Sequence, residues 1–198
     1  AYAFWGALKI GAVALPLNTF LSPADYEFML RHSGAATLIV SAPLFPKVEP
    51  VLGRISALRT IIVVEEDPPA EPGTVSWAKL FQDAAEDLPT AETTADDMAF
   101  WLYTSGTPGR QKAVVHRHAA PRYTAEFAGR STLGLRADDI IFAIPRLFSC
   151  VALEWVFFFP ALVGGAGLLR RDRPGPEGMP EIVRADRPTV VVAPVTFY

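Results

Sequence analysis

The chain has 198 residues, 51% of them hydrophobic and 20% charged, with a formal net charge of −3. That apolar content excludes intrinsic disorder, and the mildly negative balance argues against a nucleic-acid binder. The single cysteine, Cys150, excludes an internal disulfide framework or a cysteine zinc site and fits a reducing, cytoplasmic setting. A chain this long can bury roughly 70% of its unfolded surface, so it needs no covalent staple.

Short β-branched runs alternate along the chain with longer helix-like segments, which predicts an α/β fold with a mostly parallel sheet. The opening residues, Ala1 to Trp5, have no basic segment ahead of them, so they do not read as a signal peptide. Without an initiator Met, and with an apolar run at the far end, both termini read as cuts through a larger protein. Residues 12–17 read as a strand. Ser22, Pro23 and Asp25 then supply an N-cap hydroxyl, a first-turn proline and an acid at the positive helix end. Tyr26, Met29 and Leu30 follow on one helical face, and Gly34 ends the helix. Strands are expected at 37–40 and 60–64, a loop at 65–73, a short helix at 77–85 and an acidic linker at 86–97. The aromatic run 98–103 reads as a strand. Residues 119–132 read as a helix stopped by Gly134, and 140–144 as a strand. A buried helix is expected at 150–163, a short one at 175–184 and a last strand at 189–192. The stretch 151–169 is the most membrane-like, but Glu154, Pro160, Gly164 and Gly165 interrupt it, so it reads as a core helix and a turn.

The chemistry concentrates in Tyr103-Thr104-Ser105-Gly106-Thr107-Pro108-Gly109-Arg110-Gln111-Lys112, directly after a predicted strand. Glycines let backbone N–H groups approach an anion, hydroxyls add hydrogen bonds, and a lysine adds a point charge. Arg110, Lys112, Arg117 and Arg122 form a local basic cluster, which suits a small anionic ligand or a plain solvated face. The spacing does not fit the P-loop pattern of NTPases, because Ala113 follows Lys112 where a hydroxyl residue is required. His116 and His118 alternate, which leaves a metal pair or local hydrogen bonding at a helix start open. His32 sits at a helix end, where a cation suits the dipole. Cys150 reads as an inert buried thiol, Glu154 as a helix-surface residue or a carboxylate near a pocket, and Phe157 to Phe159 as core.

The motif Tyr-Thr-Ser-Gly-Thr-x-Gly-x-x-Lys, with His116-Arg117-His118 after it, resembles the phosphate loop of the adenylate-forming superfamily. Its lead-in, Phe100-Trp101-Leu102-Tyr103, is most similar to that of benzoate-CoA ligases. Gly6 to Val13 with Pro16-Leu17-Asn18, Ala137-Asp138-Asp139, Arg146-Leu147-Phe148, and Arg187 to Tyr198 resemble further family segments in the same order. The resemblance implies a partial N-terminal domain of such an enzyme. Residues 1–97 would be its first α/β portion with the acidic linker, and 98–198 the phosphate-loop and acyl-pocket portion. It implies a two-step ligation in which ATP and a carboxylic acid give an acyl-adenylate, and the acyl group then passes to coenzyme A. Thr104, Ser105, Gly106, Thr107, Gly109 and Lys112 would hold the phosphates, Thr107 would meet Mg²⁺, and Phe148 and Ser149 would line the acid pocket. The expected partners are a small carboxylic acid and a nucleotide, with no nucleic acid and no membrane span, and a homodimer is left open.

The pattern also departs from the family. Pro108 stands for the usual Thr and removes a hydroxyl and an N–H, Gln111 replaces Pro, and Ala113 replaces Gly. Ser149-Cys150-Val151-Ala152-Leu153-Glu154 stands where aryl ligases carry Phe-Ala-Tyr-Gly-Leu-Gly. The family's later Tyr-Gly-x-Thr-Glu segment, ribose-binding Asp and lysine-bearing C-terminal domain do not follow within the sequence. No residue here is therefore expected to be catalytic, and the isolated chain is expected to be inactive. The alternative is a degenerate, non-catalytic domain of the same fold that serves as an interaction or scaffold piece.

Overall fold

The computed structural model describes residues 1–64, 73–82, 84–104, 111–172 and 174–197. In chain order the helices are α1 (Tyr2–Lys9), α2 (Pro23–Ser33), α3 (Phe45–Leu52), α4 (Trp77–Gln82), α5 (Ala120–Thr124), α6 (Cys150–Ala152), α7 (Phe159–Val163) and α8 (Met179–Asp186). The strands are β1 (Thr37–Ser41), β2 (Thr60–Val64), β3 (Thr74–Ser76), β4 (Met98–Thr104), β5 (Lys112–Arg117), β6 (Ile140–Ala143), β7 (Ala166–Leu168) and β8 (Val190–Val192). These make two compact units, Ala1–Leu17 with Thr90–Tyr198, and Asn18–Pro89.

In the Asn18–Pro89 unit, β1, β2 and β3 form a parallel sheet in that order, with Thr37 opposite Thr60 and Ile61 opposite Thr74. Parallel neighbours need a crossover, and α3 supplies the one from β1 to β2. The N-cap hydroxyl expected at Ser22 is present, and Asp25 completes it into a capping box. Asp25 N–H donates to Ser22 Oγ at 3.3 Å, and Ser22 N–H donates back to Asp25 Oδ2 at 3.1 Å. Gly34 closes the helix in the left-handed conformation, at φ 64°. Tyr26, Met29 and Leu30 are buried, as their helical spacing requires, and α2 packs on α3, whose Val48 and Val51 are also buried.

The other unit holds two sheets. β4 and β5 pair antiparallel as a hairpin, while β6 lies between β7 and β8, parallel to both. Parallel pairing dominates the chain, as predicted, and the hairpin is its antiparallel exception. The predicted strand at 12–17 reduces to a single parallel bridge between Ala14 and Phe100. Gly11 turns left-handed at φ 72° just before it, and Pro16 has no N–H to continue a ladder.

The core of this unit is aromatic. Phe4, Phe100, Phe157, Phe158 and Phe159 are buried together with Ile141 and Leu153. Phe4 meets Phe100 edge-on at a centroid distance of 5.6 Å. Fully burying each such ring contributes roughly 1.5–3 kcal/mol. The two predicted helices at 119–132 and 150–163 exist, but both widen to π geometry, over Ala125–Thr132 and Leu153–Phe158. Part of the cause is local. Ser131 and Thr132 hydroxyls donate to carbonyls five residues back, at 2.9 and 2.8 Å, and Pro160 has no N–H for the following turn. Gly129 lets the first of these segments lie flat on Phe159, since a Cβ there would sit 3.2 Å from Phe159 Cγ.

Candidate functional site

The β4–β5 hairpin positions the glycine- and hydroxyl-rich stretch. Its register pairs Thr104 with Lys112, Tyr103 with Ala113 and Phe100 with His116. Thr104 and Lys112 therefore face each other at the two feet of the connection, both exposed, and their side chains have no hydrogen-bond partner among the described residues. Ser105, Gly106, Thr107, Pro108, Gly109 and Arg110 lie outside the described residues, as does most of the predicted 65–73 loop. The remaining cations of the basic cluster are dispersed. Arg117 donates to Asp96 Oδ1 at 2.8 Å, and Arg122 belongs to α5.

Behind the hairpin lies a cavity of about 50 Å³. β4 and β5 contribute Phe100, Leu102 and His116, α5 contributes Ala120, Pro121 and Thr124, and the α6 helix with its π continuation contributes Cys150, Leu153, Glu154 and Phe158. The imidazole of His116 stacks on Phe100 at 4.5 Å and 3°, and its burial pushes its pKa down. Burial pushes the Glu154 carboxyl up. The Thr124 hydroxyl is satisfied by the carbonyls of Ala120 and Pro121, both at 3.2 Å. A carboxyl, an imidazole and a thiol thus line one small apolar cavity.

One sequence expectation is corrected here, and one that was left open is decided. Cys150 is exposed rather than buried, because it opens α6 at the turn after Ser149. Glu154 does not point away into solvent. It is half-buried against the cavity, because the π segment places it beside Leu153 and Phe158. Phe157, Phe158 and Phe159 are core, as expected. Phe148 and Ser149 are half-buried ahead of α6, and neither lines the cavity. His118 lies past the end of β5, where its N–H donates to the Asp97 carbonyl at 3.0 Å.

A wider, open groove of about 450 Å³ runs along the same unit, between Trp5, Leu8 and Lys9 of α1 and His118, Arg122, Phe158 and Leu162. Among the described residues no group of three His, Cys, Asp or Glu side chains could hold a metal ion, and no helix is long and apolar enough to cross a membrane.

The profile of the AMP-binding enzyme family matches residues 1–198. The chain is 36% identical over 195 residues to the benzoate–CoA ligase of Thauera aromatica, a match covering 98% of this chain and 36% of that protein. It is likewise 36% identical over 195 residues to the 4-hydroxybenzoate–CoA/benzoate–CoA ligase of Rhodopseudomonas palustris, with 98% and 35% covered. Among solved structures it superposes on an anthranilate CoA ligase in complex with anthranoyl-AMP with a TM-score of 0.88 at 31% identity, covering 96% of this chain and 36% of that one. The benzoate CoA ligase from Burkholderia xenovorans gives a TM-score of 0.81 at 35% identity, with the same coverage. The chain thus spans about a third of the length of the relatives it matches.

Proposed function

The chain belongs to the AMP-binding enzyme family, and from that premise we propose that it is the phosphate-gripping and acid-binding portion of an ATP-dependent aromatic acid–CoA ligase. The observation that carries this reading is the register of the hairpin, with Thr104 and Lys112 at its two feet. A hydroxyl and an ammonium facing each other, both exposed, suit a polyphosphate held across the connection between them.

The chemistry explains why such a grip is needed. A carboxylate is a poor electrophile, and its attack on a nucleotide brings two anions together. Neutralising and positioning the phosphate tail is therefore the protein's main task in adenylation. In this reading Thr104, Ser105, Gly106, Thr107, Gly109 and Lys112 hold the tail, and Phe148 and Ser149 wall the acid. Mg²⁺ would arrive with the nucleotide and meet Thr107, sharing the phosphate charge. The described carboxylates form no cluster that would hold the ion by themselves. Coenzyme A would accept the acyl group in the second step, to which no residue of this chain is assigned. The 198 residues alone then bind nucleotide without completing the reaction.

Calorimetric titration of ATP into the chain and into Lys112→Ala tests the reading. The variant is expected to bind about tenfold or more weakly, as loss of a charge-assisted contact requires. Equal affinity overturns the grip assigned to Lys112, and no ATP binding by the native chain overturns the reading and favours a domain that kept the fold and lost the nucleotide. Measurable ATP–pyrophosphate exchange by the 198 residues overturns the claim that they are inactive alone.

A further inference from the structure

The cavity behind the hairpin has a polar group that the ligase reading leaves unused. Glu154 sits half-buried in a wall that includes Phe100, Leu102, Leu153 and Phe158 along with His116 and Cys150, and its carboxylate has no hydrogen-bond or ion-pair partner among the described residues. No lysine or arginine lines the cavity. A carboxylate partly withdrawn from water without a donor carries a share of the desolvation cost, and a donor brought by a ligand offsets it. The space also limits what can enter. About 50 Å³ is well below the ~150 Å³ of a cavity that takes a benzene ring, and well above the ~10–15 Å³ needed for one water-sized group. The cavity therefore accommodates a ring substituent rather than a ring.

We propose that Glu154 is a specificity-determining residue of the acid pocket, selecting aromatic acids that carry a small hydrogen-bond donor, an amino or hydroxyl group, on the ring. The inference rests on the ligase reading, since it needs an aromatic acid seated against α6. The neutral arylamine or phenol donates to the Glu154 carboxylate, and no proton changes hands. The same negative charge repels the acid's own carboxylate, so the substrate enters with its substituent toward Glu154 and its acid group away from it. An alkyl substituent of the same size would leave the carboxylate unpaired. The aryl-ligase segment that Ser149–Glu154 resembles ends in glycine, so the carboxylate departs from that pattern.

The test uses the encoded protein at full length and measures kcat/KM for adenylation with amino-, hydroxy- and methylbenzoates at each ring position. The native protein is expected to prefer the best amino or hydroxy acid over its methyl counterpart by about ten- to a hundredfold. Glu154→Leu should reverse that preference. Glu154→Gln, nearly isosteric and still an acceptor, should retain part of it. A native protein that treats the three acids alike, or a preference unchanged in Glu154→Leu, overturns the inference and leaves the ligase reading standing. A native protein that adenylates none of them overturns both.

Discussion

Gly167 offers a sharp steric test of the fold. It lies in β7, where it pairs with Ile141 of β6. Its φ is not positive, so alanine suits the backbone there. The obstacle is space. An added Cβ would collide with the carbonyl oxygen of Val156 and stand 2.9 Å from Val156 Cγ1. Ordinary carbon contacts lie at ~3.5–4.0 Å, so β7 or the π segment must move by more than half an ångström. Neither moves freely, because β7 is bonded to β6 and Val156 is 6% exposed within the core. Overpacking of this kind costs ~1–3 kcal/mol. The smaller entropy of the unfolded alanine chain returns ~0.4–1 kcal/mol, so Gly167→Ala should destabilise by about 1–2 kcal/mol. Gly6 in α1 is the matched control, since a Cβ there meets nothing within 4 Å, and Gly6→Ala should stabilise by roughly 0.5–1 kcal/mol. Urea unfolding followed by tryptophan fluorescence reads both. With a slope of ~1–3 kcal/mol per molar, the two midpoints should move in opposite directions by roughly 0.2 M or more. A Gly167→Ala midpoint equal to the native one would refute the close approach of β7 to the π segment.

Other outcomes follow from local contacts. Ser22→Ala removes the capping box of α2 and should cost about 1 kcal/mol, measured by the same unfolding transition. Thr189→Val deletes the hydroxyl that donates to Asp139 Oδ1 at 2.7 Å and accepts from Ile140 N–H at 3.0 Å. That hydroxyl, followed by Arg136 N–H, holds the Asp139 carboxyl below its ordinary pKa, so the variant should raise it in a carboxylate NMR titration. The cavity groups oppose each other with pH. Burial raises the pKa of Glu154, so its contribution to stability is present below the ordinary ~4.3 and lost as pH rises through the raised value. Burial lowers that of His116, so its contribution is present above ~6.5 and lost as pH falls through the lowered value. Glu154→Gln should flatten the first slope and His116→Gln the second in stability measured across pH, while Cys150, the third titratable group of that cavity, remains in both.

Much of the architecture is written locally in the sequence. Ser22, Asp25 and Gly34 bound α2 because caps and left-handed stops are decided by the residues that make them. The β-branched runs at Thr37, Thr60 and Ile140 became β1, β2 and β6. What escaped was set by distant partners. α3 contains Pro50 near its end and shows little helix propensity, yet it forms because Phe45, Val48 and Val51 are buried. β7 reads Ala-Gly-Leu, a run with no strand propensity, and exists because β6 needs a neighbour. Of the candidate site, the ends of the phosphate-type stretch were legible as motif residues. Its hairpin was missed because Lys112–Arg117 carries no clean alternation. For Glu154 the sequence left two positions open, helix surface or pocket wall, because a change to π spacing rotates the helix face away from what a 3.6-residue period assigns.

The short path between Lys9 and Ala91 has a modular consequence. Ala91 N–H donates to the Lys9 carbonyl at 2.8 Å, and Ala14 is ladder-bonded beside Phe100. The backbone thus departs and returns at neighbouring points of one unit, which makes Asn18–Pro89 a detour inserted in an otherwise continuous scaffold. Closing a loop becomes costlier only with the logarithm of its length. Such a detour can be lengthened, replaced by a brief tether or exchanged for a foreign module at little loop-closure cost.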